Sequence, residues 1–427
     1  MIMTMIRPET EMKDSGVQWL GNVPKEWSVG KVKHEFYVTK TIVGDKVNDY
    51  ERLALTLNGV IKRSKDAGDG LQPEKFDGYQ ILKEHELVFK LIDLANVSTS
   101  RVGLSPYTGI VSPAYIVLHH RKDMNPRYGE YYFLSMWMNE VFNHIGGDGV
   151  RSALNAKDLL NIPYLKVSSD EQQAIANYLD EKCSKIDEII AEAKASIDEY
   201  KELKQSVIFE AVTKGLDKNV EMKDSGVEWI GEIPESWNIR MLNQYVSQVK
   251  CKNSDLSETN LLSLSYGKIK RKNINSNDGL LPESFDNYNV VDENDIVLRL
   301  TDLQNDHKSL RVGLVTERGI ITSAYVTIRP NGINAAYLAL LLHAFDYKKG
   351  FYGMGSGIRQ GLTFDGIKSL KIVVPSNFEQ DDIVKHIMKM TEKCDSLISE
   401  KESLINDLEA YKKSLIYEVV TGKRRVV

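Results

Sequence analysis

The chain has 427 residues, 42% of them hydrophobic and 27% charged, with a formal net charge of −5; this is ordinary globular composition with room for two to four domains. No apolar run approaches the roughly 20 residues that cross a bilayer. Met1 to Lys13 has no apolar h-region, and three cysteines (Cys183, Cys251, Cys394) make no paired framework and no Cys-x-x-Cys spacing. A membrane partner is therefore not expected, and a reducing cytoplasm is the expected compartment.

After a tail over 1–11, the first strong feature is Met12-Lys13-Asp14-Ser15-Gly16-Val17-Gln18-Trp19-Leu20-Gly21-Asn22-Val23-Pro24-Lys25-Glu26-Trp27. It returns as Met222-Lys223-Asp224-Ser225-Gly226-Val227-Glu228-Trp229-Ile230-Gly231-Glu232-Ile233-Pro234-Glu235-Ser236-Trp237, with ten of sixteen positions identical. The four tryptophans read as core anchors. The repeat continues: Asp69–Tyr79 returns as Asp278–Tyr288, Arg101-Val102-Gly103-Leu104 as Arg311-Val312-Gly313-Leu314, and Gly149-Val150-Arg151 as Gly357-Ile358-Arg359. Two copies of one unit are therefore expected. Short β-prone runs (Leu87-Val88-Phe89, Tyr115–Leu118) alternate with Gly, Asn, Asp and Pro, and helical patches follow at Arg127–Phe142 and Ala335–Phe345. Each copy reads as an α+β domain, over 12–168 and 222–377.

Each domain runs into a long amphipathic stretch, over 169–214 and 378–421, with a linker over 215–221 between the copies and a tail over 422–427. Leu179, Cys183, Ile186, Ile190, Ala193, Ile197, Tyr200, Lys204, Val207 and Ala211 step alternately by four and three; so do Ile383, Ile387, Met390, Cys394, Leu397, Lys401, Leu404, Leu408, Tyr411 and Leu415. That is a coiled-coil seam, with Lys204 and Lys401 as polar interruptions. At 1.5 Å per residue such a helix reaches roughly 66 Å. With the second domain lying between them, the economical pairing is antiparallel within the chain, a rod with one domain at each end. The negative charge is concentrated here: residues 170–213 hold eleven acidic against five basic residues and 379–420 ten against six, so the remainder is net basic, as a nucleic-acid face requires.

Catalytic patterns are sparse. There is no Asn-Pro-Pro-Tyr-type tetrapeptide, no Gly-x-x-x-x-Gly-Lys-Ser/Thr loop and no His-Glu-x-x-His or cysteine cluster, so neither a catalytic residue nor a metal ligand is assigned. His119-His120 reads as a strand-end pair without a partner. Gly146–Gly149 and Gly353–Gly357 lack the context of cofactor loops and read better as turns, either ones that let backbone or Arg151 and Arg359 approach a phosphate or purely structural ones. Basic residues recur at matched places: Lys62-Arg63-Ser64-Lys65 against Lys268-Ile269-Lys270-Arg271-Lys272, Lys90 against Arg299, Arg101 against Arg311. The candidate DNA-contact set is therefore Lys62, Arg63, Lys65, Lys90, Arg101, Arg151, Lys268, Lys270, Arg271, Lys272, Arg299, Arg311 and Arg359.

The Lys-Asp-Ser-Gly-Val-x-Trp-x-Gly-x-x-Pro-x-x-Trp motif, and a Gly-x-Arg loop leading to Glu171-Gln172 or Glu379-Gln380 and a long helix, resemble type I restriction–modification specificity subunits over essentially the whole chain. The usual Ile-Pro-x-Pro-like run is reduced to Ile162-Pro163 and Val373-Val374-Pro375. The resemblance implies two α+β target-recognition domains reading the halves of a bipartite DNA sequence, joined by an antiparallel coiled coil that docks two methyltransferase subunits and, in a nuclease form, restriction subunits. It implies no cofactor on this chain, with S-adenosylmethionine, ATP and Mg on the partners. Two readers on one duplex face would be separated by about a helical turn, roughly 34 Å. The competing readings are a self-contained methyltransferase or nuclease and a coiled-coil scaffold that binds only proteins. The likeness of the copies inside the domains predicts related half-sites.

Overall fold

The computed structural model describes residues 6–65, 75–94, 101–145, 153–273, 282, 284–303, 306, 309–354 and 361–426. Arg151, Arg359, most of both Gly-rich turns and the start of the Asp69–Tyr79 motif lie outside them. Residue contacts divide the chain into two units: Met1–Ala193 with Glu402–Val427, and Lys194–Lys401. Among the described residues no helix is long and apolar enough to cross a membrane.

In the first unit one mixed and one antiparallel sheet carry the domain. One orders the strands Gly59–Arg63, Arg52–Thr56, Gly109–Val111 and Gln80–Leu82; the other orders Phe36–Tyr37, Ile116–His120, Leu87–Phe89 and Val102–Leu104. The pairing of Ile110 with Arg52 is parallel and the others are antiparallel. The helix Pro126–Met138 packs on the second sheet through Phe133, which meets Phe36 and Phe89 edge to face, while Tyr128 and Tyr132 meet Tyr164 of the strand Pro163–Lys166, all buried. Asn125 starts this helix by accepting from the Arg127 and Tyr128 amides, and Pro126 takes a first-turn position where no N–H is needed.

The second unit repeats this plan. Val246–Val249, Val326–Pro330, Ile296–Leu298 and Val312–Leu314 form its four-stranded sheet, and Leu261 bridges Ile320 in parallel as Arg52 does Ile110. Asn334 caps the equivalent helix, Ala335–Tyr347. An aromatic core in the first unit is replaced by an aliphatic one here: Tyr132 and Phe133 give way to the buried Leu341 and Leu342. The α+β expectation is borne out twice over.

The doubled opening motif has a local cause. Asp14 and Asp224 accept from the amides of Gly16 and Gly226, and both glycines, like Gly21 and Gly231, take positive φ, a conformation that favours glycine. The chain then returns as the strand Asn22–Pro24 or Glu232–Pro234. Trp27 and Trp237, 2% and 1% exposed, end the motif in the core. Trp19 and Trp229 are half-buried and meet Tyr132 and Phe345 edge to face.

The long helices span Ser169–Lys214 and Asn377–Val420. Their Glu-Gln starts are structural devices. Glu171 and Glu379 accept from the indole N–H of Trp27 (3.0 Å) and Trp237 (2.9 Å). Gln172 and Gln380, both buried, accept from the amides of Asn125 (2.9 Å) and Asn334 (2.8 Å), tying the long helix to the cap of the domain helix. A buried indole or amide N–H without a partner costs about 1–3 kcal/mol, so these pairs hold motif, domain helix and long helix together.

Within each unit the two long helices are joined by an ion pair. In the first unit Lys412 Nζ lies 2.7 Å from both carboxylate oxygens of Asp187; in the second, Lys204 pairs with Asp395. Within the second unit, moving from Lys204 up to Lys214 on one helix moves from Asp395 down to Asp382 and Ile383 on the other, the pattern of antiparallel pairing. One part of the expected seam is corrected. In the second helix Leu404 and Tyr411 are exposed, and the buried line runs through Cys394, Ile405 and Leu415, with Ile398, Lys401, Leu408 and Lys412 half-buried between them. Two consecutive steps of four, from Met390 through Cys394 to Ile398, shift the phase, a local stutter in the heptads. Lys401 is accordingly half-buried, and the lysine equivalent to Lys204 is Lys412.

Candidate nucleic-acid interface

The best-formed polar surface in the second domain is a two-stranded hairpin, Leu262–Ser265 with Lys268–Arg271. Leu262, Leu264 and Ile269 share its inner face, where Leu264 and Ile269 close over Gly313; a Cβ there would lie 2.5 Å from Leu264 Cδ1. The cross-strand pairs Ser263–Lys270 and Ser265–Lys268 lie on the other face. Lys268 and Lys270 are exposed, Lys272 is half-buried, and none of the three has a side-chain partner among the described residues. The tip is Tyr266-Gly267, with φ of +47° and +75°, the two-residue turn of mirror-image type that matches strand twist. A tyrosine there is costly, about 1–2 kcal/mol relative to ordinary backbone. Its side chain is nonetheless 77% exposed.

The first domain builds the same hairpin from Arg52–Thr56 and Gly59–Arg63 but presents other chemistry. Lys62 stands opposite Leu53, as Arg271 stands opposite Leu262. Lys268 and Lys270 therefore correspond to Gly59 and Ile61, and Tyr266 to Leu57. The outward face of the first hairpin carries Ala54, Thr56 and the exposed Ile61, with exposed Leu57 at its tip. Lys62 and Arg63 thus match Arg271 and Lys272, whereas Lys268 and Lys270 have no basic counterpart in the first copy.

The other candidates divide by environment. Lys62 is exposed with its ammonium 5.3 Å from the Tyr107 ring centroid, a solvent-accessible cation–π contact. Arg63 is half-buried, and Lys65 donates to the Val47 carbonyl at 2.6 Å. Lys90 is half-buried beyond its strand, its amide donating to the Arg101 carbonyl. Arg271 is held by Glu317, with Nε 2.8 Å from both carboxylate oxygens, and Arg299 pairs with Asp306 at 3.3 Å.

Arg101 and Arg311 require a correction: they are 1% and 0% exposed and face no solvent. The Arg101 guanidinium donates to the carbonyls of Ile92, Asp93 and Leu94. That of Arg311 donates to those of Arg299 and Thr301 (3.0 and 2.9 Å) and to the Tyr352 hydroxyl, with its amide on Asp346. Asp93 and Asp302 sit at φ +53° and +55°. Each arginine gathers the carbonyls of a turn that backbone donors cannot reach, which is how a buried cation is satisfied. The doubled Arg-Val-Gly-Leu marks a loop clamp.

His119, for which no partner metal ligand was expected, lies between two hydrogen-bond acceptors. Nδ1 is 2.6 Å from Glu86 Oε1 and Nε2 is 2.9 Å from the Thr39 carbonyl, with the Tyr37 ring stacked 5.1 Å away. Both ring nitrogens must donate, so the geometry selects the imidazolium. The Glu86 hydrogen bond raises the histidine pKa despite burial, and His119 in turn holds Glu86 below the usual carboxylate range against the opposing effect of burial. At the same place in the second domain Arg329 pairs with Asp295 at 2.7 Å. Aligning the copies, His119 on Arg329 and Glu86 on Asp295, was the signal that would have found this pair. The same alignment would have placed Lys412 against Lys204.

No family model matches the chain. A Methanocaldococcus jannaschii protein named putative type I restriction enzyme MjaX specificity subunit is 23% identical over 95% of this chain and 96% of its own length. A chain of a type I R–M system, solved for its complex assembly and conformational transition, has the same fold, with a TM-score of 0.68 at 10% identity over 94% of this chain and 99% of its own. The HsdS subunit from Thermoanaerobacter tengcongensis gives a TM-score of 0.49 at 12% identity over 94% and 98%. The resemblance read from the motifs is thereby borne out.

Proposed function

We propose that this chain is the DNA sequence-specificity subunit of a type I restriction–modification complex, each repeated domain reading one half of a bipartite target. The observation that carries the reading is co-linearity. The similarity to the Methanocaldococcus subunit runs through both domains and both long helices, at nearly equal coverage of the two proteins. The hairpin faces support it physically: exposed lysines position a protein on phosphates, while serine, tyrosine and apolar side chains at the tip suit base edges and thymine methyls. The partners in this reading are double-stranded DNA, two methyltransferase subunits on the long helices and, in the nuclease form, two restriction subunits. S-adenosylmethionine, ATP and Mg act on those subunits, and this chain supplies recognition.

The test is methyl transfer from labelled S-adenosylmethionine to DNA carrying the target, with Mg present, by the purified chain alone and with its methyltransferase partner. Transfer is expected only from the mixture and only on target DNA. Transfer by the chain alone would make it a self-contained enzyme; a mixture with no salt-dependent DNA affinity would leave a protein scaffold.

A further inference from the structure

The two units treat one corner of the fold differently. In the first, Arg7 covers the pair formed by Trp27 and Glu171. Its side chain is 8% exposed, with Nη2 3.3 Å from Glu171 Oε1 and Nη1 3.0 Å from Glu26 Oε1. It arrives on an extended segment: the Arg7 amide donates to the Lys423 carbonyl at 2.8 Å, and Ile6 bridges Arg424. The segments Ile6–Arg7 and Lys423–Arg424 meet there and fill the corner.

In the second unit one segment takes their place. The single stretch 215–221 leads directly from the first long helix to the strand Met222–Asp224, and the repeat places Asp217 where the first copy has Arg7. The result is an open cleft of about 170 Å³ at Trp237 and Glu379, lined also by Gly215, Pro234, Asp217 and Asp382, with Lys214 at its wall. Glu379 still accepts from the Trp237 indole. Its second oxygen turns back to Ser376, accepting from Oγ at 2.7 Å and from the amide at 3.1 Å. Three carboxylates against one lysine give the cleft a negative balance, and Trp237 and Pro234 give it an apolar wall.

We propose that this cleft is the docking site for an arginine side chain carried on an extended segment of a partner protein. The first unit supplies the template: the same tryptophan–glutamate pair, filled by the chain's own arginine. A guanidinium suits Glu379, which retains lone pairs for an in-plane donor, and an aliphatic stem lies well against Trp237 and Pro234. The inference stands apart from the proposed function, since it rests on the comparison of the two units.

The experiment uses the full chain labelled with ¹⁵N at its tryptophan indoles and a blocked peptide copying Met5–Thr10 as probe. The Trp237 resonance is identified by its loss in Trp237→Phe. Titration should shift the Trp237 signal saturably and leave the Trp27 signal in place, because Arg7 already occupies that corner. A peptide with alanine for the arginine should bind at least about tenfold more weakly, the loss of one charged hydrogen-bonded contact. Glu379→Gln should weaken binding by a similar factor and Lys214→Ala should strengthen it. The alanine peptide tests the unaltered protein, so its result does not depend on how a variant folds. No shift of Trp237, or an equal shift with the alanine peptide, overturns the proposal.

Discussion

At the scale of residues, the copies solve one problem with different ionisable groups. Arg329, its pKa raised by the hydrogen bond to Asp295, stays charged across the neutral range, whereas His119 beside Glu86 titrates. The folded state raises the histidine pKa through Glu86, so its stabilisation is complete below the ordinary value near 6.5 and declines as pH rises through the higher folded value. Glu86, held low, contributes above its ordinary 4.5 and loses that contribution as pH falls through the lower folded value. Lys83 opposes the histidine charge and does not reverse it. Amide exchange corrected for intrinsic rates should therefore show the strand Ile116–His120 losing protection as pH rises through the raised folded value of His119, while Val326–Pro330 holds. His119→Arg should abolish the difference; identical pH dependence in both strands would refute the assignment. This pair was invisible in one copy read alone, because a histidine and a glutamate 33 positions apart carry no spacing signal. Arg101 and Arg311 show the converse failure. A repeated arginine reads as surface charge until the positive-φ turns beneath it reveal a set of carbonyls needing a donor.

At the scale of elements, the hairpin and the long helices differ in how far local pattern reaches. Alternation along Leu262–Ser265 and Lys268–Arg271 separates an inner from an outer face, and the register puts Lys268 and Lys270 outside. Replacing both with alanine in the assembled complex should lower the slope of log affinity against log salt by about two and weaken binding with little dependence on target sequence. An unchanged slope would remove this face from the interface. The seam of the first long helix was legible because its apolar residues keep one phase, with Lys204 the single polar step. That of the second was misphased in its later half, since Leu404 and Ile405 are both apolar and spacing alone cannot choose between them. The ion pairs decide it. Lys204 and Lys412 are each about three-quarters covered, at 23% and 22% side-chain exposure, so a double-mutant cycle on Lys204 and Asp395 should give a coupling of about 0.5–1 kcal/mol. Zero coupling there, with coupling between Lys401 and its neighbours, would restore the phase expected from spacing.

At the scale of the whole molecule, linear order and contact order diverge. The first unit takes its final core residues, Leu415, Ile416, Val419 and Val420, from the far end of the chain, and the second takes Ile208, Ala211 and Val212 from the first helix. The doubled motif made two domains and two helices legible. It could not show that each helix serves both units, because that depends on tertiary pairing. The shared framework suggested related half-sites, but the outward hairpin faces differ, with Ser263, Ser265, Lys268 and Lys270 against Ala54, Thr56, Gly59 and Ile61. Two half-sites of different sequence are accordingly expected. The most direct measurement is a map of methylated adenines in the host genome with the gene intact and deleted. The account predicts two short, unlike half-sites separated by a fixed gap, with methylation lost on deletion. A continuous ungapped motif, or a gapped one that survives deletion, would contradict it.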